Sequence, residues 1–109
     1  MANTFKLKTK ANVGVTTVGI YTAPAATTTV VIGITMANTS GSGVNVGVGI
    51  TRAGTTEDVK LLKNAPIPQG SSLEFMSGNK IVLETSDQIN VDSDTNNSVD
   101  AALTIMEIT

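Results

Sequence analysis

The stretch Val44-Asn45-Val46-Gly47-Val48-Gly49-Ile50-Thr51 decides the fold class. Four apolar side chains alternate with Asn, Gly, Gly and Thr, and a period of two marks a strand with one buried face. Val44, Val46, Val48 and Ile50 are expected inward. Upstream, Thr27–Asn38 (TTTVVIGITMAN) alternates in the same way, with Val30, Ile32, Ile34 and Met36 expected on one face. The intervening Asn38-Thr39-Ser40-Gly41-Ser42-Gly43 is a turn by composition. The two segments are therefore expected to pair as an antiparallel hairpin. Gly47 and Gly49 leave the outward face bare. Glycine inside a strand marks a bulge or the close approach of another backbone, so both are interface candidates.

Outward from this stretch, strands dominate. The chain has 17 Thr residues, and β-branched side chains suit a pleated surface better than a helix. Thr4–Lys10 alternates Phe5, Leu7 and Thr9 with Lys6, Lys8 and Lys10. Residues 1–12 are expected to form an edge strand, or an arm laid along a neighbour, with the lysines blunting the edge. Val13–Thr22 reads as the second strand and Val59–Leu62 as a short one. Pro66 and Pro68 exclude a central strand and favour an extended crossing between two sheets. Ser71–Met76 and Lys80–Glu84 are expected to pair across Ser77-Gly78-Asn79, and Gln88–Val91 is brief. Ser98–Ile108 closes the chain with Val99, Ala101, Leu103 and Ile105 inward. Ala102, Met106 and Ile108 make its other face apolar too, which suits a central or interface strand. The result is an all-β chain of eight or nine short strands. It forms a single antiparallel β-sandwich over residues 13–109, jelly-roll-like or Ig-like, two topologies the alternation does not separate.

Composition narrows the function. Charged residues are 15% of the chain, so much of its surface is uncharged Thr, Ser, Asn and Gly, which is cheap to desolvate against another protein. The net charge of −2 disfavours non-specific binding to nucleic acid. Charge is also divided along the chain. Lys6, Lys8, Lys10 and Arg52 precede every acid, and the nine acids then share the remainder with Lys60, Lys63 and Lys80. Such a split suits basic and acidic faces that meet in a homo-oligomer or a lattice. Cysteine and histidine are absent, which removes disulfides, thiolate chemistry and imidazole acid–base catalysis. MANTFKLKTK has no apolar core of the signal-peptide kind, and no apolar run is long enough to span a bilayer. Synthesis in the cytoplasm without membrane insertion is expected.

Candidate chemistry is sparse, and neither a catalytic residue nor a cofactor is expected. Asp92-x-Asp94-x-Asn96 matches the first ligand spacings of a calcium-binding EF-hand loop. Asn97 then stands where glycine is required, and Leu103 where the bidentate glutamate belongs. The competing reading is a turn whose Asp and Asn side chains bond the nearby backbone. Glu74, Glu84 and Glu107 could in principle supply a carboxylate pair for glycoside hydrolysis. However, the aromatic residues are limited to Phe5, Tyr21 and Phe75, which gives no sugar platform. Gly41-Ser42-Gly43 lacks the Lys-Ser/Thr pair of a phosphate loop. Tyr21 is expected at the sandwich edge with its hydroxyl on a backbone partner.

Several stretches carry a resemblance. These are Lys8-Thr9-Lys10-Ala11-Asn12-Val13-Gly14, Tyr21-Thr22-Ala23-Pro24-Ala25, and Val31-Ile32-Gly33-Ile34 with Ala37-Asn38-Thr39. Leu62-Lys63-Asn64-Ala65-Pro66-Ile67-Pro68, and Ser98-Val99-Asp100 leading to Ile105-Met106-Glu107-Ile108-Thr109, complete the set. Together they resemble small structural proteins of tailed bacteriophages, particularly those of marine and cyanobacterial hosts. The resemblance implies a non-enzymatic virion component of the head surface, neck or tail, often trimeric, whose partners are other virion proteins. A head decoration (cement) subunit is the leading expectation. A neck, baseplate or tail-fibre accessory and a carbohydrate-binding adhesion module are the alternatives. The interface candidates are Lys6, Lys8, Lys10, Gly47, Gly49, Met106 and Ile108.

Overall fold

The structure is a computed structural model that describes residues 3–54, 57–75 and 80–109. Nine strands follow in order: β1 (Asn3–Val13), β2 (Val18–Thr22), β3 (Thr28–Asn38), β4 (Val44–Thr51), β5 (Asp58–Ile67), β6 (Ser72–Phe75), β7 (Ile81–Leu83), β8 (Gln88–Ser93) and β9 (Val99–Ile108). They form two antiparallel sheets. One has the order β1-β9-β3-β6, with β7 also on β3, and the other has the order β2-β8-β4-β5. The all-β sandwich expected from the alternation is present.

The connections settle its topology. From β1 to β2, β2 to β3, β3 to β4, β5 to β6, β7 to β8 and β8 to β9, the chain changes sheet. β6 and β7 share one edge of β3, at Ile34–Ala37 and Thr29–Val31 respectively, and so act as one interrupted strand. The result is the double Greek key of a jelly roll, not an Ig-type sandwich built of in-sheet hairpins. Pro68 stands where the chain crosses to β6, as expected, but Pro66 lies within edge strand β5, paired with Asn45, so the crossing begins only after Ile67.

Two expected hairpins are absent. β3 and β4 do not pair but lie in different sheets across the core. Alternation requires one buried face on each strand, and two strands facing each other across a core meet that requirement as well as two side by side. The turn at Thr39–Gly43 therefore arches between sheets. Asn38 holds it, since its side-chain amide donates to the carbonyls of Ser42 (2.8 Å) and Ile67 (3.0 Å). β6 and β7 each pair with β3 and not with one another. Met76 and the expected turn at Ser77-Gly78-Asn79 lie outside the described residues. Element bounds shift as well: β1 runs on to Val13, β2 begins at Val18, and β5 extends well beyond Val59–Leu62.

The core fills the space between the sheets. Val44, Val46, Val48 and Ile50 are buried as expected, and so are Val99, Ala101, Leu103 and Ile105. On β3 the inward set is Thr29, Val31, Ile34, Met36 and Asn38. Val30 and Ile32 do not face inward, because the register slips between Val31 and Gly33 opposite β9. A bulge adds one residue and so exchanges the faces on either side of it.

Val46→Asp would place a carboxylate without a partner at a position only 1% exposed. The variant is expected to lose the cooperative thermal transition of the wild-type protein, read by circular dichroism.

Candidate functional site

β1 is an edge strand, hydrogen-bonded to β9 along one side. Residues paired directly across two strands share a face. Lys6, Lys8 and Lys10 stand opposite Ile105, Leu103 and Ala101. The three lysines therefore point toward the inner side of the sandwich, and Phe5, Leu7 and Thr9 point outward. The expectation that the lysines line one face holds. The half-buried apolar side does not, since Phe5 is 69% exposed and Leu7 64%. The reason is register: β9 must bury Leu103 and Ile105, and its antiparallel neighbour inherits that phase.

Lysines on an inner face need compensation, and Glu107 supplies it. Glu107 is the last inward residue of β9 and is 7% exposed. Lys6 Nζ lies 2.9 Å from its Oε1. Tyr21, reaching in from β2 of the other sheet, donates its hydroxyl proton to Oε2 at 2.6 Å. With that proton committed, Thr29 of β3 donates to the Tyr21 oxygen at 2.8 Å. Lys8 Nζ lies 6.0 Å from the centroid of the Tyr21 ring, at the outer limit of a cation–π contact. β1, β2, β3 and β9 are thus joined through one carboxylate. The Tyr21 hydroxyl binds side chains, where a backbone partner was expected.

The electrostatics follow from these contacts. The hydrogen bonds from Tyr21 and Lys6 hold the Glu107 carboxyl below the usual range, outweighing its burial. Burial and the adjacent carboxylate push the Tyr21 hydroxyl up from 10.0 to about 12.

A second cluster lies between β4, β7 and β8. Arg52 contacts Asp87 (Nε–Oδ2 3.0 Å) and Glu84 (Nη2–Oε1 3.1 Å). Burial alone would raise the carboxyl of Asp87. The amides of Glu84 and Ala53, together with the Arg52 guanidinium, lower it instead. The basic first half and acidic second half of the sequence therefore meet in part within one subunit, where separate faces were expected.

The other candidates are dispersed. Asp92 accepts from Thr17 Oγ1 (3.2 Å), Asp94 from the Asn45 amide (3.1 Å) and Asn96 from the Val15 amide (3.4 Å). Among the described residues no group of three acids is placed to hold a metal ion. The EF-hand spacing is spent on partners distant in sequence, and not on the nearby backbone as a simple turn would have it, because β8 ends within it and sends Asp92 and Asp94 to different partners. Glu74 lies on β6, Glu84 beside Arg52 and Glu107 inside the sandwich, so the three do not form one carboxylate site. Gly47 and Gly49 are buried by their own chain. A Cβ at Gly47 would fall 2.5 Å from Asp92 Oδ1, and one at Gly49 would fall 3.1 Å from the Val59 carbonyl. Bulges opposite β5 bring that backbone close. Met106 and Ile108 are half-buried on the outer face of the five-stranded sheet, next to exposed Phe5.

What these elements define as a class is a small jelly-roll sandwich with an internal polar clasp. No protein-family model matches the sequence, and no curated protein matches it either. Solved structures match by fold. A chain of the cyanophage Pam1 capsid asymmetric unit is 15% identical with a TM-score of 0.57, over 95% of this chain and 85% of that one. A chain from disulfide-linked pili of Bacillus endospore appendages is 13% identical with a TM-score of 0.57, over 99% and 87%. A chain of the T13 infectious bursal disease virus particle is 14% identical with a TM-score of 0.60. The match takes in 96% of this chain and spans about a third of that one (30%).

The clasp sets the pH response. Because Glu107 and Asp87 titrate lower in the folded chain than their ordinary values of 4.5 and 3.8, their stabilisation is complete only above those unfolded values, from about pH 5.5 upward. It is lost as pH falls through the depressed folded values. Glu107→Gln is expected to lower the urea midpoint at pH 7 and to flatten the acid branch of a melting-temperature profile. Tyr21 titrates higher when folded, so stability falls as pH rises from 10 toward 12. Tyr21→Phe leaves Glu107 short of a buried donor and is expected to cost about 1–3 kcal/mol in urea titration.

Proposed function

We propose that this chain is a non-enzymatic structural subunit of a bacteriophage virion, most specifically a head decoration (cement) protein that stabilises the capsid by protein–protein contacts. The observation that carries the reading is the near full-length fold match, in both directions, to a small chain of a cyanophage capsid asymmetric unit. That match agrees with the resemblance in the sequence to small phage structural proteins. A chain of this size that is a single sandwich offers little beyond its outer faces and edges for function.

The charge and surface chemistry support the same reading. Ionisable groups with shifted pKa values are occupied in structural contacts, with Glu107 in the clasp and Asp87 under Arg52. The outer face of the five-stranded sheet is largely uncharged and apolar, which lowers the cost of burying it in an assembly. A pilus subunit is a second reading, favoured by the match to the endospore appendage chain. Those pili are described as disulfide-linked, and this chain has no cysteine with which to form such a link. Neck, baseplate and tail-fibre accessory roles share the same surface. They differ from decoration in copy number, with hundreds of copies per particle for a decoration protein and a few tens or fewer for the others. The trimer implied by the resemblance is open to light scattering on the purified protein.

Particles that lack this subunit are expected to lose their capsid at a lower temperature than complete particles, and added purified protein is expected to restore the difference. Unchanged capsid melting would sink the cement reading. Location of the chain at the tail in an electron-microscopy map would replace it with the accessory role.

A further inference from the structure

The outer face of the five-stranded sheet has a relief that the sandwich itself does not use. In-register pairing places Phe5, Met106, Val30 and Val82 side by side across β1, β9, β3 and β7. They make an apolar ridge across the strands, with Phe5 69% and Val82 57% exposed. Four residues earlier on β9, the row Thr9, Ala102 and Thr35 has small side chains and ends on Glu74 of β6. With Ala11 and Ala37 it lines a shallow groove of about 340 Å³, with Lys10 and Asp100 also in its wall. Midway between ridge and groove runs the row Leu7, Thr104 and Gly33. The acids of this face, Glu74 and Asp100, lie at its groove end.

We propose that this face docks a second copy of the same chain about a two-fold axis that crosses the strands at the level of Thr104. Such an axis exchanges the two ends of the face. The ridge of each copy then lies in the groove of the other, the self-complementarity that a two-fold contact requires. A different protein would have to supply both halves of this complement, whereas a second copy already carries them. The same axis sets Asp100 of one copy at the level of Ile108 in the other, and Glu74 at the level of Val82, so the acids of the two copies do not meet. Thr104 and Gly33 at the axis are small enough for two sheets to pack at about 10 Å, and Leu7, at the β1 edge of the same row, meets its mate across the axis. The face is four strands wide at about 4.8 Å and about eight residues long at roughly 3.3 Å, close to 500 Å² in projection. Two such faces reach about 1,000 Å², the lower bound for a specific contact. The proposal rests on this surface and not on the virion reading. A two-fold contact also leaves room for a trimer, whose copies it would join to those of another.

The cysteine-free chain makes the test clean. Thr104→Cys, treated with a short bis-maleimide, is expected to run as a covalent dimer on a denaturing gel. Gly41→Cys, in an exposed turn with open space around it, is expected to stay uncoupled. Mixed Met106→Cys and Ala102→Cys proteins are expected to cross-link more efficiently than either alone. By light scattering at micromolar concentration, Phe5→Lys is expected to show half the mass of the wild-type protein. Its thermal transition is expected to persist, because Phe5 is exposed in the subunit. Equal masses for the two, with Thr104→Cys uncoupled, would overturn the proposal. Preferential self-coupling of Met106→Cys would overturn the ridge-in-groove register. A wild-type monomer that loses particle binding on Phe5→Lys would assign the face to another virion protein instead. Unchanged capsid melting beside a cross-linked Thr104→Cys dimer would remove the cement role and leave this contact standing.

Discussion

Strand β9 is hydrogen-bonded along both edges, to β1 and to β3, and its phase sets the phase of the sheet around it. Val99, Ala101, Leu103 and Ile105 must be buried, and an antiparallel neighbour in register has no independent choice of face. That constraint turns the lysines of β1 inward and leaves Phe5 and Leu7 in solvent. Charged groups on an inner face are costly without partners. Glu107, the next inward position of the same strand, supplies one; Tyr21 donates to Glu107, and Thr29 donates in turn to Tyr21. The clasp is therefore a consequence of burying β9.

The clasp in turn ties the two sheets together where β1 and β2 form neighbouring edges. Tyr21 is the member contributed by the four-stranded sheet, while the other three come from the five-stranded one. At the opposite edge of β2's sheet, the β5 backbone presses on Gly47 and Gly49. There the absence of side chains accommodates a bulge within the chain. Internal satisfaction of polar and backbone groups leaves the outer face of the five-stranded sheet with Phe5, Leu7 and Val82 exposed.

Much of this was legible from residue order, and the errors have identifiable causes. Alternation in Val44–Thr51 and Val99–Ile105 gave the strands and their buried faces correctly. The same rule failed on β3 because a bulge at Ile32 and Gly33 has no composition of its own to announce it. It failed on β1 because local apolarity suggested the buried side, whereas register with β9 decided it. The buried role of Glu107 carried one signal, its place in the inward phase of Val99, Ala101, Leu103 and Ile105. Partner choice for Asp92, Asp94 and Asn96 carried none, since their spacing fits a metal loop and a capped turn equally well.

Residue order by itself determined an all-β, cysteine-free sandwich, most of its strand segments, the keeping of Pro66 out of a central strand, the crossing at Pro68, and the absence of histidine and thiol chemistry. These are properties of local stereochemistry and of side chains present or missing. Tertiary structure decided the jelly-roll order, the separation of β3 from β4, the inward lysines and the exposed ridge beside its groove. Those depend on which strands become neighbours. Strand pairing is set by burial of the whole core, a sum over distant segments that no single segment encodes.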